Sequence, residues 1–384
     1  MDRSGLYQVL PKILRMRWVP VSGFFDSRGV ILYGLGPMNS PVSLLSSLVK
    51  RRIIFAVLTF GVSLYANSGV TIYTYDSLSG KGSLGAVVKK IAEEKLGIPT
   101  NFVLFPNAGE ALNQVAIEGV KTKADLVLGV DSNWLGRARD LKLFEPIDNK
   151  LFEPVASDLV PSGARDFLPF DYGYLAFLHD SRRTKAPKPG LSLVDFVALP
   201  ELKNKVIIQD PRTSSIGFSF LLWSHMANPN EASVASFWKT LSGSLITVTP
   251  GWSQAYGMFM KQKADWVLSY TTSPAYHVEE EKLDAIQAYY FNEGHYRQVE
   301  GAMVVKGRKN AAVIQKWLEL LLSKEVQEAL PKTQWMYPVR KEVTLPESFK
   351  KLPVPKGLAL PPESIETNRK KWIQSWTSSM TQGK

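Results

Sequence analysis

A chain of 384 residues is too long for one small core and suits two α/β lobes of ordinary domain size. Its 45% hydrophobic and 21% charged residues exclude a disordered chain. The absence of cysteine excludes disulfides, Cys-ligated zinc, iron–sulfur clusters, thiol nucleophiles and a lipidated N-terminal Cys. The net charge of +11 is concentrated early, where eight Lys/Arg and two Asp precede residue 69 and leave 38 basic and 33 acidic residues for the rest. That remainder is mildly basic and has no basic stripe with interleaved aromatics, so no nucleic-acid partner is expected.

Lys50-Arg51-Arg52 followed by the apolar run Ile53–Tyr65 and the small residues Ala66-Asn67-Ser68 has the form of an export signal, with cleavage expected before Gly69. The run is short for a permanent membrane anchor; its alternative is a buried core helix or strand. Residues 1–49 show no pattern, and a translation start at or near Met38 would give the signal an ordinary length. The expected product is exported, soluble and not lipidated.

From residue 69 the pattern alternates strand and helix. Strands are expected over 71–75, 101–105 and 124–130, and helices over 84–96, 110–118 and 132–141, with Gly97 and Gly119 closing the first two. This βαβαβ order predicts a parallel sheet with right-handed crossovers. After a Pro-containing stretch (152–169), strands are expected over 171–179, 206–209, 245–248, 265–270 and 298–305, and helices over 192–202, 215–226, 253–262, 311–322 and 324–330. A last amphipathic helix over 363–380 carries Trp372 and Trp376 at four-residue spacing, read as core packing. Two α/β units without an internal repeat predict two lobes, residues 69–170 plus 297–384 and residues 171–296. A ligand would lie between them at the carboxyl ends of strands.

Aromatic residues gather at those turns: Tyr73 and Tyr75, Trp252 and Tyr256, Tyr270 and Tyr276, Trp335 and Tyr337. Converging Tyr and Trp rings suit a flat or cationic ligand, at roughly 0.5–2 kcal/mol per ring; taken singly, each ring reads as structural, lining a lobe interface, and only the cluster points to a ligand. Asp210–Ser215 offers hydroxyls and backbone N–H groups at a helix start, which reads either as an anion site or as a plain N-cap. No nucleophile-elbow, G-x-G-x-x-G or Walker-type loop is present. Tyr289 and Tyr290, near Glu293 and His295, are chemically suited to ferric ion, but adjacent strand residues point to opposite faces.

The stretches TIYTYDS (71–77), KADLVLGVD (123–131), PFDYGYLAF (169–177), QDPRTSS (209–215), GWSQAYGMF (251–259), VLSYTTSPAYH (267–277), EGHYRQVE (293–300) and WMYPV (335–339) together resemble the thiamine-binding periplasmic proteins over residues 71–376. The resemblance implies an α/β, two-lobed periplasmic-binding-protein (type II) fold with a ligand cleft between the lobes. It also implies thiamine or its mono- or diphosphate as ligand, delivery to an ABC permease and its ATPase subunit, monomeric action, and no catalysis or cofactor. By position, Tyr75, Tyr276 and Trp335 are the expected rings on the ligand. Thr213, Ser214, Trp252 and Tyr270 are expected around its hydroxyethyl or phosphate end, with Tyr256 and Asn107 beside them. Gly82 and Asn107 replace a Trp and an Asp of the family pattern, which bears on the choice among the esters. A ferric-ion or other small-solute binding protein of the same fold is the alternative. Thiamine-degrading enzymes of this fold use a cysteine nucleophile, which the chain lacks.

Overall fold

The computed structural model describes residues 69–382. The expected export signal, the extension before it and the start at Met38 lie outside the described residues. Strand β1 (Val70–Tyr75) leads to α1 (Leu84–Leu96), capped by the Ser83 hydroxyl and ended by Gly97 in the left-handed conformation at φ 61°. Next come β2 (Thr100–Phe105), α2 (Ala108–Glu118) and β3 (Leu126–Asp131), and the three strands are parallel as the alternation predicts. Beyond α3 (Leu135–Asp140) and β4 (Phe144–Glu145), strand β5 (Leu168–Asp180) runs for 13 residues.

A second α/β unit follows: α4 (Leu193–Val197), β6 (Val206–Gln209), α5 (Ser215–Ala227), α6 (Glu231–Ser242), β7 (Leu245–Thr249), α7 (Trp252–Met260) and β8 (Trp266–Tyr270). Here β6 runs parallel to both β7 and β8. The short α8 (Ser273–Tyr276) and β9 (Ile286–Tyr289) precede β10 (His295–Val305). The chain ends with α9 (Ala311–Leu321), α10 (Lys324–Thr333), β11 (Tyr337–Pro338), α11 (Glu347–Lys350), β12 (Gly357–Leu358) and α12 (Pro362–Gln382).

The strands hydrogen-bond in the order β2-β1-β3-β10-β5-β8-β6-β7. The sheet is mixed, because β10 is antiparallel to both β3 and β5. Two large apolar clusters pack against it. One joins β1, β3, α1, α2, α9 and Val299–Val305 of β10; the other joins β6, α5, α6, Leu175 and Phe177 of β5, and Tyr296 of β10. Strands β5 and β10 therefore each contribute residues to both cores: Leu168 and Phe170 belong to the first, Leu175 and Phe177 to the second.

Helix α6 is absent from the elements expected from sequence, although Val234, Phe237, Trp238 and Leu241 form a buried face at helical spacing. The segments expected as single helices over 132–141 and 192–202 each divide into a 3₁₀ turn and a shorter α-helix.

Trp372 and Trp376 pack as expected, and the core they enter is the second one, together with Ile365. Trp372 stacks on His225 at 4.3 Å and its indole N–H donates to Glu231 at 3.1 Å. Trp376 meets Trp238 edge-on at 6.2 Å. Trp376→Ala is expected to cost about 3–5 kcal/mol. Urea unfolding with an unchanged slope and a lower midpoint would show it; an unchanged midpoint would mean that α12 adds nothing to the second core.

Candidate ligand-binding cleft

A cavity of about 760 Å³ lies between the two cores, at the carboxyl ends of β1, β6 and β8. Its size and position suit a small organic ligand at the mouth of an open α/β sheet. Tyr75, Asn107, Ser214, Trp252, Tyr256, Tyr270, Tyr276 and Trp335 all line it. Thr213 does not. Its hydroxyl donates instead to the Pro250 carbonyl at 2.8 Å, tying the turn after β6 to the turn after β7. Tyr73 and Tyr337 also lie away from the cavity: Tyr73 donates to Glu118 on α2, and Tyr337 is buried against Tyr172 and Phe349.

The rings are held from behind. Trp252 stacks on Tyr256 at 4.7 Å, and its indole N–H donates to Ser269 at 2.8 Å. The Tyr256 hydroxyl lies 2.7 Å from Nε2 of buried His277, whose Nδ1 lies 2.7 Å from Glu281. This Glu–His–Tyr chain fixes the tilt of the Trp252–Tyr256 pair. Tyr276 and Trp335 meet edge to face at 5.2 Å. Trp335 has a φ of 61°, a left-handed conformation that is costly for a bulky residue and that places its ring just past the end of α10.

Tyr75 occupies its place because residue 129 is glycine. Gly129 has a φ of 88°, and a Cβ there would lie 2.2 Å from the Tyr75 ring. The Tyr75 hydroxyl donates to Glu300 at 2.6 Å and accepts from the Gln334 side-chain amide at 2.6 Å. Glu300 also accepts from Gln298 at 3.1 Å. Burial raises the Glu300 carboxyl to about 8, against the lowering effect of Tyr75's hydrogen bond. Burial likewise raises Asp131 to about 7, and Asp171, beside Glu300, well above the usual carboxylate range.

Polar helix starts line the same cavity. Ser83 caps α1, Asn107 caps α2 by accepting from the Glu110 N–H at 2.9 Å, and Ser214 caps α5 by accepting from Gly217 at 3.3 Å. Ser214 is therefore an N-cap and a cleft residue at once. Three helix N-termini facing one cavity, with Lys81 and Lys332 at its edge, form an environment that favours an anionic group. Gly82 also lines the cavity, with a φ of 81°. The cleft mouth is bridged by Ser253 to Asp76 at 3.4 Å and by Lys332 to Glu279 at 3.7 Å.

Sequence reading missed the acidic and amide groups in the sheet, Asp131, Asp171, Gln298 and Glu300. A signal exists for the two aspartates: Asp131 ends the apolar run of β3 and Asp171 interrupts the apolar start of β5, whereas Gln298 and Glu300 sit in the polar first half of β10. The residues suited to ferric ion serve the second core instead. Tyr289 donates to the Lys188 carbonyl at 2.5 Å and Glu293 accepts from the Leu193 N–H at 2.6 Å. His295 bonds the Leu175 carbonyl through Nδ1 at 2.6 Å and accepts from the Phe291 N–H through Nε2. No group of three or more His, Asp or Glu side chains suited to a metal ion occurs among the described residues.

Residues 121–358 match the family of bacterial extracellular solute-binding proteins. The thiamine-binding periplasmic protein of Escherichia coli is 40% identical over 83% of this chain and 95% of its own length, and that of Haemophilus influenzae is 36% identical over 82% and 93%. A solved periplasmic thiamin binding protein superposes with a TM-score of 0.74 at 40% identity, covering 81% of this chain and 96% of that one. A ferric binding protein from Campylobacter jejuni shares the fold alone, with a TM-score of 0.68 at 19% identity over 81% and 99% of the two chains. The fold is thus the two-lobed one of periplasmic binding proteins, and the chain belongs to the bacterial extracellular solute-binding family, within which it groups with the thiamine-binding periplasmic proteins.

Proposed function

We propose that this protein captures thiamine, or one of its phosphate esters, in the periplasm and delivers it to an ABC permease and its ATPase. The observation that carries the reading is the pairing of an aromatic box with three helix N-termini in one cavity of about 760 Å³. Thiamine joins a flat pyrimidine and a cationic thiazolium to a hydroxyethyl arm that can carry phosphate. Rings of Tyr75, Tyr276 and Trp335 suit the flat and cationic parts, and the capped starts of α1, α2 and α5 suit the arm or its phosphate. The thiamine-binding relatives at 36–40% identity support the same ligand. The role is capture rather than catalysis, since the thiol nucleophile of thiamine-degrading enzymes is missing. Soluble, non-lipidated, monomeric action completes the proposal; no helix among the described residues is long and apolar enough to cross a membrane.

Calorimetric titration with thiamine and its mono- and diphosphate should give one-to-one binding with at least one of them, and no heat with any would overturn the reading. Trp335→Ala and Tyr276→Ala should each weaken binding by roughly 2- to 30-fold, the worth of one ring over a cation, while circular dichroism stays unchanged. Gly129→Ala should weaken binding as well, because its new Cβ displaces the Tyr75 ring; wild-type affinity in that variant would separate Tyr75 from the site. Small-angle scattering should show a smaller radius of gyration at saturating thiamine, and an unchanged radius would rule out lobe closure.

A further inference from the structure

The three buried carboxyl groups behind the aromatic box have no part in the reading above. Glu300 on β10 is the direct cross-strand partner of Asp131 on β3 and of Asp171 on β5. Adjacent strands lie about 4.8 Å apart and directly paired residues share a face. Three carboxyl groups therefore stand in a row across the centre of the sheet, and Glu300, in the middle, lines the cavity. Asp131 and Asp171 are fully buried and Glu300 is 7% exposed. Neither oxygen of Asp171 has any hydrogen-bond partner. No ion pair among the described residues includes any of the three.

The groups facing the row are mostly neutral. Tyr75 from β1 and Gln298 from β10 bond Glu300, Tyr270 from β8 lies close by, and Ser219 from α5 bonds Asp131. Arg369 from α12 is the nearby cation. It acts on Asp131 but does not line the cavity, and its guanidinium lies 4.0 Å from the Phe218 ring centroid and 4.6 Å from that of Trp134. Like charges this close in a water-poor site cannot all be ionised, and they share protons as one coupled unit. On the cavity side no described cation pairs with the row: Lys81 and Lys332 line the cavity, but Lys332 pairs with Glu279 and neither forms an ion pair with the three carboxyls.

Resting on the thiamine reading, we infer that Glu300, backed by Asp171 and Asp131, is the counter-charge for the ligand's cationic ring and gives up a proton to solvent as that ring binds. A cation in the box stabilises the ionised carboxylate, and the proton that Glu300 shares in the empty cleft leaves through the mouth to the buffer. The row then selects for charge: a flat neutral ring of the same shape gains the stacking but not the ion pair. Its effect on affinity has a definite sign. Glu300 is raised to about 8 in the empty cleft by burial, and bound cation lowers it, so affinity rises with pH up to about 8 and levels off above.

The test is calorimetric titration of the full protein with thiamine at pH 7 in phosphate and in imidazole, buffers whose heats of protonation differ. In wild type the binding heat should differ between the buffers by an amount equal to the release of up to about one proton. Affinity should rise by up to about tenfold per pH unit between pH 6 and pH 8. Glu300→Gln, which keeps the acceptor for Tyr75, should bind more weakly, with its pH dependence reduced. Asp131→Asn, one strand away, should shift the wild-type pH profile to lower pH, because it removes the like charge that raises Glu300. Binding of unchanged heat in both buffers with a flat wild-type profile would overturn the inference and leave the thiamine reading standing. No binding of thiamine by wild type in either buffer would overturn both.

Discussion

Strand β10 pairs antiparallel with β3 on one side and with β5 on the other, and the organisation of the molecule depends on that double pairing. Both β5 and β10 are long, at 13 and 11 residues, and each starts in one apolar core and ends in the other. Two parallel α/β units are thereby joined through shared backbone hydrogen bonds rather than through a loose linker. The carboxyl ends of both units face one cavity because of this joint. Asp171 and Glu300 sit side by side on these two connecting strands, where the first core gives way to the second. Helix α12 adds a strap: Arg369 lies over Trp134 of the first core and Phe218 of the second.

The cleft combines two kinds of recognition that differ in strength and in selectivity. Ring stacking is worth roughly 0.5–2 kcal/mol per ring and tolerates many flat ligands. Polar helix starts contribute about as much apiece but only to an anionic group, and salt weakens them at an exposed mouth. Glu300 at the cleft floor is little screened, being 7% exposed. A ligand with a cationic ring and an anionic tail uses all three. One that lacks the cation leaves Glu300 holding its proton, and forgoes that contribution.

Much of the fold was legible in the sequence because its signals are local. The 3.6-residue pattern of α1, its Ser83 start and its Gly97 end are written within 15 residues. The aromatic positions were legible for a similar reason, since a Tyr or Trp at a strand-to-helix turn has few apolar neighbours in the chain to explain it. Thr213 misled because a hydroxyl at a helix start looks the same whether it faces ligand or, as here, the carbonyl of Pro250, 37 residues away. Tyr73 misled because only the position of α2 reveals that its hydroxyl meets Glu118. The carboxyl row was hidden for a deeper reason: Asp131, Asp171 and Glu300 are separated by 40 and 129 positions in the chain, and only the strand order brings them together.

Asp171 shows what such a row costs. Both its oxygens are buried without a partner, a condition that costs on the order of 1–3 kcal/mol relative to a satisfied or apolar group. An apolar residue at position 171 would fit the strand, where Phe170 and Leu175 are already fully buried, and would remove that cost. A protein shaped only for stability has no reason to keep the acid there. The neighbouring Glu300 adds to the cost, since its charge makes ionisation of Asp171 harder still. The same repulsion becomes useful once a cation can enter: it holds the row poised so that ionisation waits for the ligand. The destabilising arrangement in the sheet and the selective one in the cleft are therefore a single feature, seen from the two sides of Glu300.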